Sequence, residues 1–233
     1  IALTKVDEDY PDNKLSGAVF EVYSDTNGDG KLDKDDTLLG EMKELDGGVY
    51  QMSELRYGKY LVKETKAPTG FVLDENVYAV SVEENGKTYT VENKAGVGFI
   101  NAAQKGSLKI VKTSSDGKVE GFSFRVTGVD YDKTFKTDKN GEIVIEGLRI
   151  GDYTVSEVSD KASAGYILPA DKQATVKVDA TAIVQMHNEF RDTPKTGDDF
   201  NLGLWVSLAA LSVVGAGVLG FVGYKNRKKK KED

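Results

Sequence analysis

An internal repeat constrains the fold of this chain more than any other feature of its sequence. The pattern Leu-Arg-x-Gly-x-Tyr occurs at residues 55–60 and again at residues 148–153. Each copy follows a segment rich in Gly, Asn and Asp, and each runs into residues that alternate between apolar and polar. Because self-similarity of this kind is typical of a chain built from copies of one structural unit, the sequence predicts two related domains in tandem.

Short alternating runs bounded by turn residues recur throughout residues 1–190. Examples lie at residues 18–23, 77–82, 106–112, 122–126 and 174–178. A period of two residues is typical of β-strands with one buried face, and no long stretch before residue 200 shows a helical period. We therefore predict an all-β fold with two tandem Ig-like β-sandwiches, at residues 1–103 and 106–190.

Strand parity places charged and amide side chains at the ends of apolar stripes. Alternate residues of a strand share one face, and in both repeats three such faces end in a Lys, a Glu and an Asn. The first repeat contains Ile1-Leu3-Lys5, Tyr60-Val62-Glu64 and Val97-Phe99-Asn101, and the second contains Leu108-Ile110-Lys112, Tyr153-Val155-Glu157 and Val184-Met186-Asn188. Burial of a lone ammonium or carboxylate is costly, so the repeated trio requires a chemical explanation.

The three side-chain types can react with one another when they are buried together. Burial disfavours the charged forms, which lowers the pKa of Lys and raises the pKa of Glu. A neutral Lys amine is a nucleophile, and a protonated Glu can polarise the Asn carboxamide and shuttle protons. Attack of the amine on the amide would expel ammonia and leave a Lys–Asn isopeptide bond, with no cofactor required.

Two alternatives to this chemistry remain open from the sequence. The trio could be a buried Lys–Glu ion pair capped by Asn, with no covalent bond. In the first repeat, Asn93 competes with Asn101 as the partner of Lys5. We favour Asn101 because it directly precedes the connection between the repeats, as Asn188 directly precedes the C-terminal linker.

The repeats resemble a known family of surface domains. Residues 3–7, 16–20 and 60–71 of the first repeat, and residues 106–112, 153–157 and 187–188 of the second, are similar to the Cna B-type domains of Gram-positive adhesins and pilins, also called SpaA-type or prealbumin-like. The resemblance implies a prealbumin-like β-sandwich with one spontaneous isopeptide bond in each repeat. The implied pairs are Lys5–Asn101, assisted by Glu64, and Lys112–Asn188, assisted by Glu157. Such bonds would serve a chain without cysteine as disulfides serve other secreted domains.

The C-terminal segment has the composition of a membrane anchor. Residues 202–224 carry no charge, and as a helix they would reach roughly 35 Å, enough to cross a hydrocarbon core of about 30 Å. Residues 225–233 contain six basic and two acidic residues. We therefore predict a single transmembrane helix at residues 201–224, followed by a basic cytoplasmic tail at residues 225–233.

A short motif precedes this apolar span within the linker of residues 191–200. Its residues are Thr193, Pro194, Lys195, Thr196 and Gly197. Together with the span and the tail, the motif resembles a sortase sorting signal, whose usual form is Leu-Pro-x-Thr-Gly. The resemblance implies that a sortase cleaves after Thr196 and joins it to a peptidoglycan precursor or a pilin. Thr193 stands where Leu is usual, which leaves the sortase class open.

An acidic loop in the first repeat matches the spacing of a twelve-residue Ca²⁺ loop. The ligands would be Asp25, Asn27, Asp29, the carbonyl of Lys31, Asp33 and Asp36. Asp36 replaces the usual Glu, and the loop follows a strand rather than a helix. The alternative is a solvated hairpin loop, because Asn, Gly and Asp are also turn residues.

Composition argues against several functional classes, and the two resemblances given above imply the function that remains. The net charge of −7 argues against a nucleic-acid partner, and a single His without Cys argues against a zinc site or a His- or Cys-based catalytic centre. We therefore expect no enzyme but a structural stalk or adhesin segment, secreted and covalently anchored to the bacterial cell wall after a transient membrane-bound stage. The alternatives are an adhesin for a host extracellular-matrix protein, an ancillary pilin subunit, or the wall anchor of an enzyme whose catalytic domain lies outside this sequence.

Overall fold

The computed structural model describes residues 1–191 and is all-β over that range. It contains 16 strands, no helix among the described residues, and therefore no helix of the length and apolarity needed to cross a membrane there. The predictions for the sorting motif, the membrane span and the basic tail concern residues beyond 191 and lie outside the described part of the chain. Residues 1–190 form one compact unit.

The strands of the first repeat form two four-stranded sheets. These strands are β1 (Ala2–Asp7), β2 (Val19–Ser24), β3 (Thr37–Glu41), β4 (Lys43–Leu45), β5 (Val49–Gln51), β6 (Gly58–Lys66), β7 (Val77–Val82) and β8 (Phe99–Asn101). One sheet has the order β4-β5-β1-β8 and the other β3-β2-β6-β7. The apolar faces of both sheets meet in a core in which the Phe20 ring makes edge contacts with Tyr50 at 5.1 Å and Phe99 at 5.0 Å.

The second repeat has the same arrangement of central strands. Its strands are β9 (Lys105–Ser114), β10 (Ser123–Gly128), β11 (Tyr131–Lys136), β12 (Glu142–Arg149), β13 (Gly151–Val158), β14 (Tyr166–Ile167), β15 (Lys172–Val176) and β16 (Thr181–Phe190). The sheets have the orders β12-β9-β16-β14 and β11-β10-β13-β15. The prediction of two tandem β-sandwiches is therefore confirmed for the described residues.

The first strand of each sandwich is paired in parallel with a strand near the end of the same repeat. β1 lies antiparallel to β5 and parallel to β8, with Lys5 opposite Phe99 and Asp7 opposite Asn101. β9 lies antiparallel to β12 and parallel to β16, with Met186 opposite Lys112. Each domain therefore closes by placing its N-terminal and C-terminal strands side by side.

The predicted parity of the buried stripes is confirmed with one exception, although Glu157 is only partly buried. Leu3, Leu108 and Ile110 are almost completely buried, and the Lys at the end of each stripe is buried with them. The exception is Val97, which is not on a strand. Its amide donates to the Lys94 carbonyl at 3.0 Å in a tight turn, so that β8 begins only at Phe99.

The repeated Leu-Arg-x-Gly-x-Tyr motif forms the turn that opens β6 and β13. In both copies the Tyr hydroxyl bonds back to the Arg carbonyl four residues earlier, from Tyr60 to Arg56 at 2.7 Å and from Tyr153 to Arg149 at 2.9 Å. Gly151 has φ of 141°, and a Cβ there would lie 2.7 Å from the Val129 side chain. In both copies the motif therefore forms a tyrosine corner that fixes the entry to a core strand.

The Arg of the second motif joins the two sandwiches. Arg149 donates two parallel hydrogen bonds to the Asp7 carboxylate, at 2.7 and 2.8 Å, and a third to Asp9 at 3.1 Å. Lys105 adds an ion pair to Asp9 at 3.0 Å. Burial opposes ionisation of Asp7, but Arg149 together with the backbone amides of Asp9 and Tyr10 lowers its pKa below the usual value. Arg56, in the same place of the first motif, is exposed.

We expect Arg149→Ala to destabilise residues 1–191 by about 3 kcal/mol, because it leaves the buried Asp7 carboxylate without its partner. The matched control is Arg56→Ala, which removes the same side chain from an exposed position and should change stability by less than about 0.5 kcal/mol. Chemical denaturation of the three proteins measures the difference. Equal effects of the two substitutions would contradict a stabilising role for the Arg149–Asp7 contact.

Candidate functional site

The six residues of the predicted trios lie together in two clusters, one inside each sandwich, and all except the partly exposed Glu157 are buried. In the first cluster, Lys5 of β1 and Asn101 of β8 share one face of their sheet, and Glu64 of β6 reaches them from the opposing sheet. The second cluster, formed by Lys112, Glu157 and Asn188, is built in the same way from β9, β13 and β16. The parallel pairing of first and last strands therefore brings each Lys beside its Asn.

The first cluster is fully assembled. Lys5 Nζ donates to the Asn101 side-chain carbonyl and to the Phe99 backbone carbonyl, the latter at 3.2 Å. Asn101 Nδ2 lies 3.0 Å from each carboxylate oxygen of Glu64, and Lys5 Nζ lies 3.5 Å from Glu64 Oε1. All three side chains are buried. An amine, an amide and a carboxyl group are thus in mutual contact away from water.

Burial shifts the amine of the first cluster towards its reactive form. Desolvation lowers the pKa of Lys5 to about 8, although the nearby Glu64 and Asp74 carboxylates act in the opposite direction. The Phe99 ring adds an apolar wall 4.7 Å from Lys5 Nζ. A neutral amine, which is the nucleophilic form, is therefore accessible in this core at a much lower pH than in water.

The alternative partner of Lys5 lies in a different environment. Asn93 Nδ2 donates to Asp74 Oδ2 at 2.8 Å and to the Ile100 carbonyl at 2.9 Å. Its side-chain oxygen accepts from the Ile100 amide at 2.6 Å. The amide of Asn93 is thus occupied in holding the loop before β8, and the geometry favours Asn101 as the partner of Lys5.

The side chains of the second cluster lie near one another but form fewer hydrogen bonds among themselves. Asn188 Nδ2 donates to Glu157 Oε1 at 2.6 Å, whereas Lys112 Nζ donates to the Thr113 carbonyl at 2.5 Å and lies 4.2 Å from the Phe122 ring centroid. Glu157 Oε2 and Asn188 Oδ1 are buried without a hydrogen-bond partner. Burial lowers the pKa of Lys112 and raises the pKa of Glu157. The groups therefore tend towards the neutral amine and the neutral acid.

A contact to the first cluster was not predicted from the sequence. The backbone amide of Asp74 donates to Glu64 Oε2 at 2.9 Å. The Asp74 carboxylate in turn accepts from Tyr78 Oη at 2.6 Å and from Asn93 Nδ2. No residue-type pattern could have revealed this donor, because every residue except proline carries the same backbone N–H.

The acidic loop of the first repeat folds onto its own backbone. The Asp25 carboxylate accepts from the amides of Gly28 at 2.7 Å and Gly30 at 3.1 Å, and Asp36 accepts from the amides of Thr26 at 3.0 Å and Asp33 at 2.9 Å. Shorter Asx turns complete the loop, in which Asn27 accepts from the amide of Asp29, Asp29 from that of Lys31, and Asp33 from that of Asp35.

The side chains of this loop do not converge as a cation site would require. Within residues 1–191, no group of three or more acidic or histidine side chains is placed to hold a metal ion. The observed geometry is that of a hairpin loop that satisfies its own amides. Calcium binding, predicted from the spacing of the loop, thus has no support from the arrangement of its carboxylates and stays a prediction.

Comparisons with known proteins agree with the fold. The sequence profile described as "SpaA: Prealbumin-like fold domain" matches residues 1–95 and 106–190. Among solved structures, the Bacillus anthracis TIE protein is 25% identical, with a TM-score of 0.60, and the alignment covers 81% of this chain and 33% of that one. A C-terminal fragment of the pilus adhesin SpaC from Lactobacillus rhamnosus GG is 14% identical, with a TM-score of 0.51, over 82% of this chain and 97% of the fragment.

The chain spans about a third of the length of the Bacillus anthracis TIE protein structure. Likeness to the SpaC fragment at this identity concerns the fold alone. A search of the curated proteins found no match.

The calcium hypothesis has a direct test in the thermal stability of residues 1–191. If the loop binds Ca²⁺, millimolar calcium should raise the melting temperature relative to chelator, because a ligand that binds only the folded state stabilises it. The rise should be lost in Asp29→Asn, which removes a charged ligand and retains an acceptor for the Lys31 amide. Identical melting temperatures with calcium and with chelator would establish the loop as a self-bonded turn.

Proposed function

Because the chain belongs to the SpaA family of prealbumin-like fold domains, we propose that residues 1–190 are a stalk or adhesin segment of a bacterial surface protein, stiffened by two self-formed Lys–Asn isopeptide bonds. The observation that carries the proposal is the pair of buried Lys-Glu-Asn clusters described above. Each cluster bridges the parallel first and last strands of its sandwich. The segment acts on no external substrate and is not an enzyme.

The proposed reaction in the first sandwich balances without a co-reactant. Lys5 transfers a proton to Glu64 and becomes a neutral amine, whose lone pair attacks the Asn101 Cγ. The Nζ–Cγ bond forms and the Cγ–Nδ2 bond breaks. Glu64 gives its proton to the departing nitrogen and takes one of the two amine protons, while the other stays on the new amide nitrogen. The products are a secondary amide, ammonia and a protonated Glu64, and transfer of this proton to ammonia gives ammonium and restores the Glu64 carboxylate. The contacts at 3.0–3.5 Å around Glu64 are short enough for these proton transfers.

The same reaction in the second sandwich requires a rearrangement of side chains. Lys112 must leave the Thr113 carbonyl and turn towards Asn188, whose oxygen has no partner. A proton on Glu157, which burial favours, would let this carboxyl group donate to that oxygen and polarise the amide. The two orphaned atoms thus fit a reactive state of the cluster better than they fit a resting ion pair.

The position of the bonds suits a protein under tension. A pull on the two ends of either sandwich loads its first and last strands, which lie side by side and run in the same direction. Backbone hydrogen bonds alone would have to resist the sliding of one strand along the other. A covalent link between the strands resists it directly. By analogy with a disulfide, closing a loop of this length would also stabilise the fold by about 4–5 kcal/mol.

The anchoring part of the proposal rests on the sequence of residues 193–231. The motif that ends in Thr196 and Gly197, the uncharged span and the basic cluster occur in the order of a sortase sorting signal. We propose that a sortase joins Thr196 to a peptidoglycan precursor or a pilin, so that the segment is displayed outside the cell at a wall-anchored C-terminus. A host extracellular-matrix protein is a proposed partner only in the adhesin variant of this function.

We expect purified residues 1–191 to weigh about 34 Da less than the sequence mass, because each bond releases one ammonia of about 17 Da. Intact-mass spectrometry measures the loss. Glu64→Ala and Glu157→Ala should each reduce it to about 17 Da, since each removes the proton carrier of one cluster only. A full sequence mass in the unsubstituted protein would contradict bond formation and leave two ordinary buried polar clusters.

A matched pair of Asn variants identifies the partner of Lys5. Asn101→Ala should abolish the mass loss of the first sandwich, whereas Asn93→Ala should retain it, because Asn93 is bonded to Asp74 and Ile100 instead. The reverse result would transfer the acceptor role to Asn93.

We expect the full chain, incubated with a sortase and an amine acceptor peptide, to yield residues 1–196 joined to the acceptor. Mass spectrometry of the product locates the junction, and Pro194→Ala serves as the control because it alters the motif without touching the cleaved peptide bond. A junction at any other residue would contradict the assignment of Thr196.

A further inference from the structure

The two sandwiches can be aligned at the segment that follows β6 and β13, beside the clusters. In the first sandwich, Phe71 forms a β-bridge with Ala103, two residues after the reactive Asn. In the second, Tyr166 pairs with Phe190, again two residues after the reactive Asn. Phe71 and Tyr166 therefore occupy equivalent places.

The residue three places further along differs in a chemically decisive way. It is Asp74 in the first sandwich and Pro169 in the second. The Asp74 amide donates to Glu64 Oε2 at 2.9 Å. Proline has no N–H to donate, and the corresponding oxygen, Glu157 Oε2, is buried without a partner. One backbone donor thus separates a fully bonded catalytic carboxyl group from one that is half bonded.

The donor in the first sandwich is itself firmly placed. The Asp74 carboxylate accepts from the Asn76 amide at 3.0 Å, from Tyr78 Oη at 2.6 Å and from Asn93 Nδ2 at 2.8 Å. These bonds tie the segment to β7 and to the loop before β8. The Asp74 amide therefore meets the Glu64 carboxyl group in one fixed orientation.

The consequence for Glu64 is that both of its oxygens are fixed. Asn101 Nδ2 contacts the two oxygens equally, at 3.0 Å, and the Asp74 amide holds one of them from the other side. Lys5 Nζ is then 3.5 Å away. In the second sandwich only Glu157 Oε1 is held, by Asn188, and Lys112 is bonded elsewhere.

We propose that the backbone amide of Asp74 is a positioning group for the cross-linking reaction, and that its replacement by Pro169 makes the second sandwich form its bond more slowly than the first. The inference rests on the proposed function, because it orders the two bonds which that function requires. The amide takes no part in bond making. It holds the Glu64 carboxyl group where this group can take a proton from Lys5 Nζ and return one to Asn101 Nδ2 as ammonia departs.

The rates of the two bonds can be followed separately in the full chain. The chain is made by a short pulse of cell-free translation, samples are denatured in acid at set times, and mass spectrometry of the digests counts each cross-linked peptide. The protease resistance of undenatured samples reports folding. We expect the Lys5–Asn101 bond to form roughly tenfold faster than the Lys112–Asn188 bond, since misplacement of a reacting group has effects of that order or larger.

Three substitutions test whether the difference in rate arises from the backbone N–H at position 74, which Pro169 lacks. Asp74→Pro should slow the first bond roughly tenfold, whereas Asp74→Asn, which retains the N–H and a side-chain acceptor, should change it by less than about twofold. Pro169→Ala, which supplies an N–H, should accelerate the second bond. Tyr78 pairs with Val62 seven residues after Phe71, whereas Lys172 pairs with the equivalent Val155 six residues after Tyr166. A graft of residues 73–77 in place of residues 168–171 corrects this one-residue difference and supplies the N–H in a second way.

Each outcome decides between the proposals. Equal rates for the two bonds, or an unchanged first bond in a folded Asp74→Pro chain, would overturn the positioning role. If Asp74→Pro fails to fold, the variants of the second sandwich provide the test. The inference is then overturned if neither Pro169→Ala nor the loop graft accelerates formation of the second bond. The absence of any cross-link in either sandwich at long times would instead overturn the proposed function itself.

Discussion

The parallel pairing of first and last strands is the constraint on which the rest of the structure depends. β1 lies along β8, and β9 along β16, so residues far apart in sequence share one face of a sheet. Lys5 and Asn101 are 96 positions apart and yet in contact. A parallel pair cannot be joined by a short turn, so the whole sandwich is the connection between the two strands. The chemistry of the cluster is therefore available only after the domain has folded.

The clusters also explain why side chains whose burial is energetically unfavourable occupy the core. A buried ion pair contributes little net stability, because loss of hydration offsets most of the attraction between the charges. In the second cluster the attraction between Lys112 and Glu157 acts without a hydrogen bond between them, since Lys112 bonds to the Thr113 carbonyl, and two polar atoms have no partner. As a permanent structure, a cluster with these features would destabilise the core, because its buried polar groups are incompletely bonded. As a reactive state that is converted once into a neutral amide, the same cluster is physically reasonable.

The junction between the sandwiches begins on the strand that carries the first cluster. Lys5 and Asp7 lie two positions apart on β1, and Asp7 is the residue that Arg149 holds. The guanidinium also lies 4.9 Å from the Tyr10 ring and 5.7 Å from the Phe71 ring. In the proposed stalk, a load that leaves the second sandwich would therefore reach the first one at a strand that is itself covalently tied.

The sequence by itself determined the strand periodicity, the two repeats and the identity of the buried trio, because all three are local patterns of apolar and polar residues. It also determined the parity that points Lys5, Glu64 and Asn101 inward, which needs nothing beyond the alternation of a strand. It was wrong at Val97, where a turn replaces the expected strand, because backbone hydrogen bonds there override the apolar pattern.

The sequence favoured Asn101 over Asn93 as the neighbour of Lys5 by its place before the linker, but only the tertiary structure showed which groups surround each amide. The tertiary structure also decided that Arg149 meets Asp7 while Arg56 remains exposed, although one motif supplies both. The contact of the Asp74 amide with Glu64 was likewise visible only in the tertiary structure. Such contacts join distant segments through backbone groups or single side chains, and their partners are fixed by strand pairing and packing rather than by any local pattern.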